Sequence, residues 1–436
     1  MLANAYQSVL LTRVALHGAQ SAPVRTRLVP VKDMSELSAK DNGSSDLPLA
    51  GFTVVSLEQA VAAPLATRHL ADLGARVIKV ERVGDGDFAR AYDSAVLGQA
   101  AHFVWLNRGK ESFAVDLKAG DGIAAVKSLI AGADVFLQNL APGAAERLGL
   151  GAEELRADHP ELIVVNMSGY GTDGPMRDRK AYDLLVQSET GLCSITGTPE
   201  TAVKTGIPTA DIAAGMYALT SIQAALLRRC RTGVGATIDV SMFDATAEWL
   251  GYPMYLQMYQ DRQVPRMGLA HTSIAPYDKY PTADGEILIG VQNDRGWRTL
   301  TDVLGLPELA DDPRYATNVE RVRRREEVDA LVGEATKQFA SDVLDEKLAA
   351  AGVPAARLRD LRGLIEHPQL ATRDRWREVE TPAGPIRAVR PPMNFRDVEL
   401  PMGAVPALGE QTDALLAELG LTDEQVAGLR AAGIVG

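Results

Sequence analysis

Residues 52–81 read FTVVSLEQAVAAPLATRHLADLGARVIKVE, and this stretch decides the fold class. Its first segment, Phe52–Leu57, and its last, Arg76–Glu81, are short and rich in β-branched residues, which predicts two strands. Between them, Ala63–Leu73 carries apolar residues at helical spacing and ends before Gly74, a residue that commonly terminates helices. Strand, helix and strand in this order predict a βαβ unit with parallel strands.

The same alternation continues along the chain, and it predicts a large, Rossmann-like α/β domain with a parallel sheet covered on both faces. Further strands are predicted at Asp134–Asn139, Leu162–Ser168 and Thr237–Val240, and further helices at Ile123–Ile130, Asp211–Arg231 and Ser241–Gln257. The pattern then changes: Ala275–Tyr280 and Glu286–Val291 flank a Pro- and Gly-containing turn, which predicts an antiparallel hairpin. We therefore predict a smaller α+β domain over residues 260–350.

The first 47 residues have a different composition from the rest. Residues 1–33 carry Arg and Lys with no acid before Asp33, and residues 34–47 are rich in Ser, Asp and Gly. This pattern is typical of a transit peptide or of a start assigned too early, with Met34 as the initiator. We treat residues 1–47 as a flexible or wrongly assigned extension and expect the fold to begin near Pro48.

Charge and composition exclude several classes of function. Lys and Arg total 45 and Asp and Glu total 57, so the net charge is −12, which disfavours general nucleic-acid binding. Two cysteines, Cys193 and Cys230, are too few for a disulfide framework and indicate a reducing, cytoplasmic setting. The six histidines are scattered without a metal-binding motif, so no metal is expected. The longest apolar stretch, Ile212–Leu227, is shorter than a membrane span, so no membrane is expected.

Common motifs of cofactor and hydrolase chemistry are missing. The predicted first strand is followed by EQAVAAP rather than GxGxxG, and neither GxxxxGK[ST] nor GxSxG occurs. The predicted sheet therefore comes without a sign of NAD, of ATP or of a thioesterase of the serine type.

Several segments, in one order, resemble the family III CoA-transferases. They are VVSLEQAVAAPLATRHLADLGARVIKVERVGDGDFAR (54–90), WLNRGKESFAVDL (105–117), QNLAPGAAERLG (138–149), MSGYGTDGPMRDRKAYDLLVQSETG (167–191), GIPTADIAAGMYALTSIQAALL (206–227) and LGEQTDALLAEL (408–419). The hairpin at 274–291 matches as well. The resemblance covers about residues 49–436, and its weight comes from the shared order of the segments.

The resemblance implies an architecture and a chemistry. It implies a large domain built from residues 48–255 and 355–436, with the small domain inserted, and two subunits that interlock as a homodimer. It also implies transfer of CoA from an acyl-CoA to a small carboxylic acid through an aspartate. Coenzyme A thioester would then be the co-substrate, and no prosthetic group would be required.

Asp211 is the candidate nucleophile, because it matches the family's catalytic aspartate. It is the single acid in the apolar, small-residue stretch PTADIAAGM (208–216). A helix N-terminus would keep its carboxylate ionised and ready to attack, and covalent catalysis would divide the exchange into easier steps. On the residues alone, Asp211 could also be a plain N-cap.

The resemblance also implies a set of CoA-binding residues. CoA is a polyanion with an adenine, so it requires cations beside apolar surface. The positions that match are Arg82, Lys110, Asn139, Leu140, Arg147 and Lys180. Leu140 replaces an aromatic residue that is common in the family, and any single cation among these could equally be a solvated surface charge.

Five further positions are candidates for substrate contact. Gln59 lies in the variant segment SLEQ, which resembles members that act on mesaconate, itaconate or citramalate. Arg90 could hold a substrate carboxylate or pair with Asp87. Tyr182 and Asp183 follow the GYG loop, where Asp183 could hydrogen-bond near the nucleophile or cap the helix that begins there. His271 lies in a loop that could cover the site or stay in solvent.

The function predicted is CoA transfer, with succinyl-CoA as donor and a short dicarboxylate as acceptor. The alternative is a 2-methylacyl-CoA racemase of the same superfamily, which requires an acid–base pair across the α-carbon. In racemases a histidine takes the place of Tyr182, which argues against that alternative. A non-catalytic acyl-CoA binder would not need Asp211.

Overall fold

The structure is a computed structural model, and it describes residues 46–436. The predicted extension over residues 1–47 lies almost entirely outside the described residues. A six-stranded, fully parallel sheet forms the centre, with the order β3-β2-β1-β4-β5-β6. Its strands are β1 (Thr53–Leu57), β2 (Arg76–Glu81), β3 (Lys110–Ala114), β4 (Val135–Gln138), β5 (Ile163–Ser168) and β6 (Ala236–Ser241).

This strand order is that of a doubly wound α/β fold, and it confirms the predicted parallel sheet. The order reverses between β1 and β4, where Val54 pairs with Val135 and Leu57 with Gln138. Loops that leave the carboxyl ends of such neighbouring strands run in opposite directions, which opens a crevice between them. The helices up to the end of β6 are α1 (Ala62–Asp72), α2 (Ala101–Asn107), α3 (Gly120–Ala131), α4 (Ala144–Arg147), α5 (Ala152–Asp158), α6 (Asp183–Glu189), α7 (Leu192–Ile195) and α8 (Thr209–Thr232).

Both faces of the sheet are covered by apolar side chains. On one face, Leu70 and Ile222, from α1 and α8, join sheet residues such as Val165 in one core cluster. On the other face, Ile130 from α3 packs with Phe136 in a second cluster, which also contains residues near the end of the chain. Alternate residues of each strand supply the two clusters, which accounts for the continuous apolar runs of the sequence.

The part of the chain after β6 holds a smaller antiparallel sheet with its own core. The sheet consists of β7 (Tyr277–Pro281), β8 (Glu286–Gly290) and β9 (Ala355–Arg357), and the predicted hairpin is its first pair. Because β9 pairs with β8, the small sheet includes residues 355–357, which the prediction placed at the start of the returning part of the large domain. The helices of this part are α9 (Met242–Trp249), α10 (Gly251–Gln260), α11 (Asp294–Leu304), α12 (Glu308–Asp311), α13 (Asn318–Arg323), α14 (Arg325–Thr336) and α15 (Ser341–Ala351).

The last part of the chain returns to the large sheet. Leu415, Leu416 and Val426 belong to the core cluster that contains Phe136, as a large domain built from both ends of the chain would require. The predicted capping box at Thr422 and Gln425 is present. The remaining elements are α16 (Leu361–Ile365), α17 (Pro368–Thr372), β10 (Trp376–Val379), β11 (Ile386–Val389), α18 (Thr412–Glu418) and α19 (Asp423–Ala431).

Among the described residues, α8 is the one helix long and apolar enough to cross a membrane by length and composition. Half of its apolar window is buried inside the protein. Ala210, Ala214 and Ala218 are buried in the same core cluster as Leu70 of α1. The apolar character of α8 is therefore explained by its packing in the core of an α/β domain.

Candidate active site

The crevice at the β1/β4 reversal is held closed at its base by a pair of hydrogen bonds. The Asn139 side chain accepts from the Gln59 backbone N–H at 2.9 Å and donates to the Gln59 carbonyl at 2.9 Å. Both polar atoms of Asn139 are therefore used on backbone. The Asn139 side chain therefore positions the loop after β1, and the CoA contact that the resemblance implies for this residue stays a prediction.

Helix α8 approaches this loop closely, because a glycine faces it. A Cβ added to Gly215 would lie 2.6 Å from the Ala62 carbonyl oxygen at the start of α1. Asp211 lies four residues earlier, on the same face of the helix. Ala60 and Ile212 pack against one small apolar cluster formed by Val61, Leu65 and Leu106. The first turn of α8 thus meets the loop that carries Gln59.

Asp211 is not an N-cap. Helix α8 begins after Pro208, which has no side-chain capping bond, and Asp211 is the third helical residue. The cap is supplied from another element: Asp183 Oδ1 accepts from the Ala210 N–H at 2.8 Å and from the Asp211 N–H at 3.3 Å. Of the two roles left open for Asp183, the hydrogen bonds support the one beside Asp211, since the helix that begins at Asp183 has no side-chain cap.

The carboxyl group of Asp211 is half-buried, and this changes its titration. Burial, and then the negative charge of Asp183, raise the pKa of Asp211 to about 7. This direction is opposite to the one expected from a helix N-terminus, which favours the ionised carboxylate. The cost of desolvating a carboxylate and the repulsion between two carboxylates outweigh the helix dipole. A raised pKa in a crevice is typical of a reacting group.

A pH dependence of the reaction follows from this shift. A nucleophilic carboxylate must be ionised, so kcat/KM should fall about tenfold for each pH unit below about 7 and level off above it. The measurement is kcat/KM from pH 5 to 9 with a stable acyl-CoA. A flat profile down to pH 5 would show that Asp211 titrates at its ordinary value.

Tyr92 joins the site, although the sequence did not single it out. Burial and the charges of Asp87, Asp211 and Tyr182 raise the pKa of Tyr92 to about 12, which places these groups around it. Tyr92 comes directly after a short 3-10 helix, Phe88–Ala91, in the segment that follows β2. The signal available in the sequence was an aromatic residue in the segment that follows a predicted strand. Tyr182 is itself largely exposed, at 67%.

Lys110 lies beneath the crevice rather than in it. Its side chain is fully buried, and Nζ donates to Glu58 Oε1 at 2.6 Å, to the Pro64 carbonyl and to Asn107. Burial alone would raise the pKa of Glu58, but the charges of Lys110 and Lys79 hold it below its ordinary value. Because Nζ is buried and already has three partners, the structure gives no support to the CoA contact that the resemblance implies for Lys110, and that contact stays a prediction.

Arg90 is also committed to other partners. Its guanidinium makes two hydrogen bonds with Glu81, at 2.9 and 2.7 Å, and lies 3.7 Å from the centroid of the Phe103 ring. Asp87, its predicted alternative partner, pairs with Lys79 instead. Neither predicted role of Arg90 is supported, because the guanidinium is engaged by the Glu81 carboxylate and by the Pro406 carbonyl.

Three of the predicted CoA-binding cations remain available. Arg82, Arg147 and Lys180 are exposed, and within residues 46–436 none of them forms an ion pair. Lys180 lines a cavity of about 430 Å³ with Arg179 and Tyr170. Leu140 is half-buried and packs against the core cluster that contains Phe136.

His271 lies in the loop before β7. Its ring stacks on Tyr277 at 5.3 Å, and Nδ1 accepts from the Ser273 N–H at 3.1 Å. These contacts stay within the smaller sheet and its neighbouring loop, and no described interaction joins His271 to Asp211. In the described part of the chain, no cluster of three potential metal ligands occurs.

Fold and site together define a class of protein. It is a doubly wound α/β protein in which a carboxylate, the candidate nucleophile, lies near the β1/β4 reversal of the strand order. Residues 49–412 match the model of CoA-transferase family III. The chain belongs to this family, and it is an enzyme of the CoA-transferase type.

Curated relatives agree with this assignment. A succinate–glutarate CoA-transferase of Agrobacterium fabrum is 36% identical over 382 residues, which covers 85% of this chain and 96% of the relative. A succinyl-CoA–D-citramalate CoA-transferase of Chloroflexus aurantiacus is 33% identical, covering 89% and 98%. The crystal structure of a CAIB/BAIF family protein from Brucella suis superimposes with a TM-score of 0.77 at 37% identity, covering 85% and 99%.

Proposed function

We propose that the protein transfers CoA from succinyl-CoA to a short dicarboxylate through a covalent intermediate on Asp211. The observation that carries this proposal is the half-buried Asp211 carboxyl in the first turn of α8, set against the loop after β1. Asp183 caps the same turn and fixes its position. The role of Asp211 as nucleophile matches the family to which the chain belongs.

The first half of the reaction loads CoA onto the enzyme. An Asp211 oxygen attacks the thioester carbonyl, the C–S bond breaks, and a mixed anhydride and CoA thiolate result. The thiolate then attacks the Asp211 carbonyl carbon, which releases the donor acid as a carboxylate and leaves an aspartyl-CoA thioester. No proton is consumed, because each carboxylate that is used is replaced by one that is released.

The second half runs the same steps in reverse with the acceptor. The acceptor carboxylate attacks the aspartyl thioester, and the thiolate then attacks the acceptor's acyl carbon, which regenerates the Asp211 carboxylate. Asp211 alternates between a buried charge and neutral acyl forms. The desolvation that raises its pKa therefore also favours attack, since acylation moves the negative charge from the Asp211 carboxylate to the CoA thiolate.

The class of acceptor is supported by the names of the relatives. One acts on glutarate and another on D-citramalate, and the SLEQ segment resembles members that act on mesaconate and itaconate. We therefore place the acceptor among dicarboxylates of this size. Because Arg90 is bound to Glu81, the distal carboxylate requires a different partner.

The proposal is tested by incubating the protein with succinyl-CoA and each acceptor in turn, namely glutarate, citramalate, mesaconate and itaconate. We expect the CoA thioester of the acceptor to form. Its formation is monitored by chromatography and mass spectrometry. No transfer to any acceptor, together with deuterium incorporation at the α-carbon of a 2-methylacyl-CoA, would favour the racemase instead.

Arg82 and Arg147 are proposed to bind CoA phosphates. Each change to alanine should raise the KM for succinyl-CoA about tenfold and leave kcat nearly unchanged, since a charge-assisted hydrogen bond is lost. The control is Arg295→Ala, which removes an exposed arginine of α11. Measuring KM again with the dephospho form of the thioester identifies the 3′-phosphate partner, because its variant then loses its effect. Unchanged KM in both variants would refute these assignments.

The proposal includes a homodimer in the cytoplasm. Along α10, Tyr252, Tyr255, Met258 and Tyr259 are all more than 60% exposed. An apolar stripe of this kind is typical of an interface, and it supports the interlocked dimer that the family resemblance implies. The cytoplasmic part of the proposal rests on the sequence, whose two cysteines are too few for a disulfide framework.

A further inference from the structure

A balanced cluster of charges lies beneath the loop that carries Gln59. Lys79 and Lys110 are fully buried, and so are the side chains of Glu58 and Asp87. Lys110 bonds to Glu58, while Lys79 bonds to Asp87 at 2.8 Å. Buried ion pairs contribute little net stability compared with apolar packing. Stability therefore does not account for such a cluster at this place.

The Asp87 carboxylate connects two loops of the site. Its Oδ1 accepts from the Ala60 N–H at 3.1 Å, in the loop after β1, and from the Ala89 N–H at 2.9 Å, in the loop after β2. Its Oδ2 accepts from Lys79. Ala60 follows Gln59, and the segment of Ala89 leads to Tyr92. One side chain thus fixes the two loops relative to each other.

The loop after β1 requires such a tether. Ala60 has a φ of +63°, a left-handed backbone conformation that is strained for a residue with a Cβ. Gln59 on its other side is held by Asn139. The segment is therefore strained and is hydrogen-bonded on both sides. Ala60 packs against the same small apolar cluster as Ile212 of α8.

We infer that Asp87 is a positioning residue for CoA transfer, which holds the Gln59–Ala60 loop and the Tyr92 segment in register beside Asp211. This inference rests on the proposed function. Asp87 touches neither substrate nor Asp211 in this account, and it acts through the two backbone N–H groups. Lys79 neutralises its charge and orients it.

The test compares two variants that differ only in the tether. In Lys79→Met/Asp87→Asn, the asparagine oxygen still accepts from both N–H groups and no buried lysine is left without a partner. In Lys79→Met/Asp87→Ala, the acceptor is gone. Both variants keep the Glu58–Lys110 pair, and both avoid the unpaired buried charge that could prevent folding.

We expect the two variants to differ in kcat and in amide exchange. The asparagine variant should keep kcat for transfer from succinyl-CoA within a few-fold of wild type, whereas the alanine variant should lose about 10- to 100-fold in kcat. Amide exchange of the peptide containing Ala60 should be faster in the alanine variant alone. Melting temperatures measured alongside exclude global unfolding as the cause.

Two outcomes overturn the inference and are distinguishable. Equal kcat and equal amide exchange in the two variants, with an active wild type, would show that Asp87 does not position the two loops. The proposed function would be unaffected by that result. A wild-type protein that transfers no CoA to any dicarboxylate would overturn the proposed function and, with it, this inference.

Discussion

Asp211→Ala should lower the rate of CoA transfer by about 10³-fold or more, because the variant lacks the group that carries the acyl and CoA intermediates. The control is Asp423→Ala, which removes an exposed first-turn acid of another helix, α19, and should leave the rate unchanged. Residual transfer in Asp211→Ala at a rate within tenfold of wild type would assign the chemistry to a different group.

The loss of activity should not come with a loss of stability. The folded-state pKa of Asp211 is raised to about 7 by burial and by Asp183, so the carboxylate costs stability above that pH. An amide at this position avoids the cost. Asp211→Asn should therefore melt at a higher temperature than wild type at pH 8, and at nearly the same temperature below pH 4, where the carboxyl is protonated in both states. A lower melting temperature at pH 8 would contradict the assigned cause.

The second large effect is expected at Asp183. Asp183→Ala leaves the Ala210 and Asp211 N–H groups without their acceptor, so the first turn of α8 loses its fixed position. The transfer rate at pH 8 should fall about 100-fold, since small misplacements of a reacting group are costly. The rate is measured under saturating succinyl-CoA, so that a change in binding does not enter.

Asp183→Asn separates position from charge. The amide oxygen still accepts from both N–H groups, while the second oxygen, which accepts from Gln187 Nε2, and the negative charge are lost. A neighbouring charge of the same sign raises a carboxyl pKa. The midpoint of the pH profile should therefore move below 7 while most of the rate at pH 8 is kept. An unmoved midpoint would show that burial alone sets the pKa of Asp211.

Local patterns in the sequence predicted most of the fold. β1, β2 and the helix between them follow from β-branched runs and helical spacing, and the parallel sheet follows from their alternation. The predicted helix over Ser241–Gln257 is instead two helices that meet at Leu250. Pro253 lacks an N–H to continue the first of them, but it fits the first turn of the second.

The identity of the site was predictable, whereas the partners inside it were not. Asp211 stands out as an acid in an apolar stretch, and the resemblance supplied its role. Lys110 is buried against Glu58, which lies 52 residues away in the chain. Arg90 pairs with Glu81 and packs on the ring of Phe103. Pairings of this kind are made by the tertiary fold, so a positive charge in a motif does not reveal whether it faces solvent.

The raised pKa of Asp211 has the same origin. A helix N-terminus lowers the pKa of an acid, and this part is visible in the sequence. Burial and the approach of Asp183, 28 residues away, are not visible there. These two effects raise the pKa of Asp211 where the helix N-terminus alone would lower it. The fall in activity at low pH therefore tests both the burial of Asp211 and its role in the reaction.

The most direct test of the central claim is the mass of the peptide that contains Asp211 after incubation with succinyl-, acetyl-, itaconyl- or mesaconyl-CoA and rapid acid quenching. We expect an added mass of CoA less one water on that peptide with at least one donor. The added mass should be absent in Asp211→Ala and should be removed when an acceptor dicarboxylate is supplied. An unmodified Asp211 peptide in an enzyme that nevertheless transfers CoA would contradict the covalent mechanism.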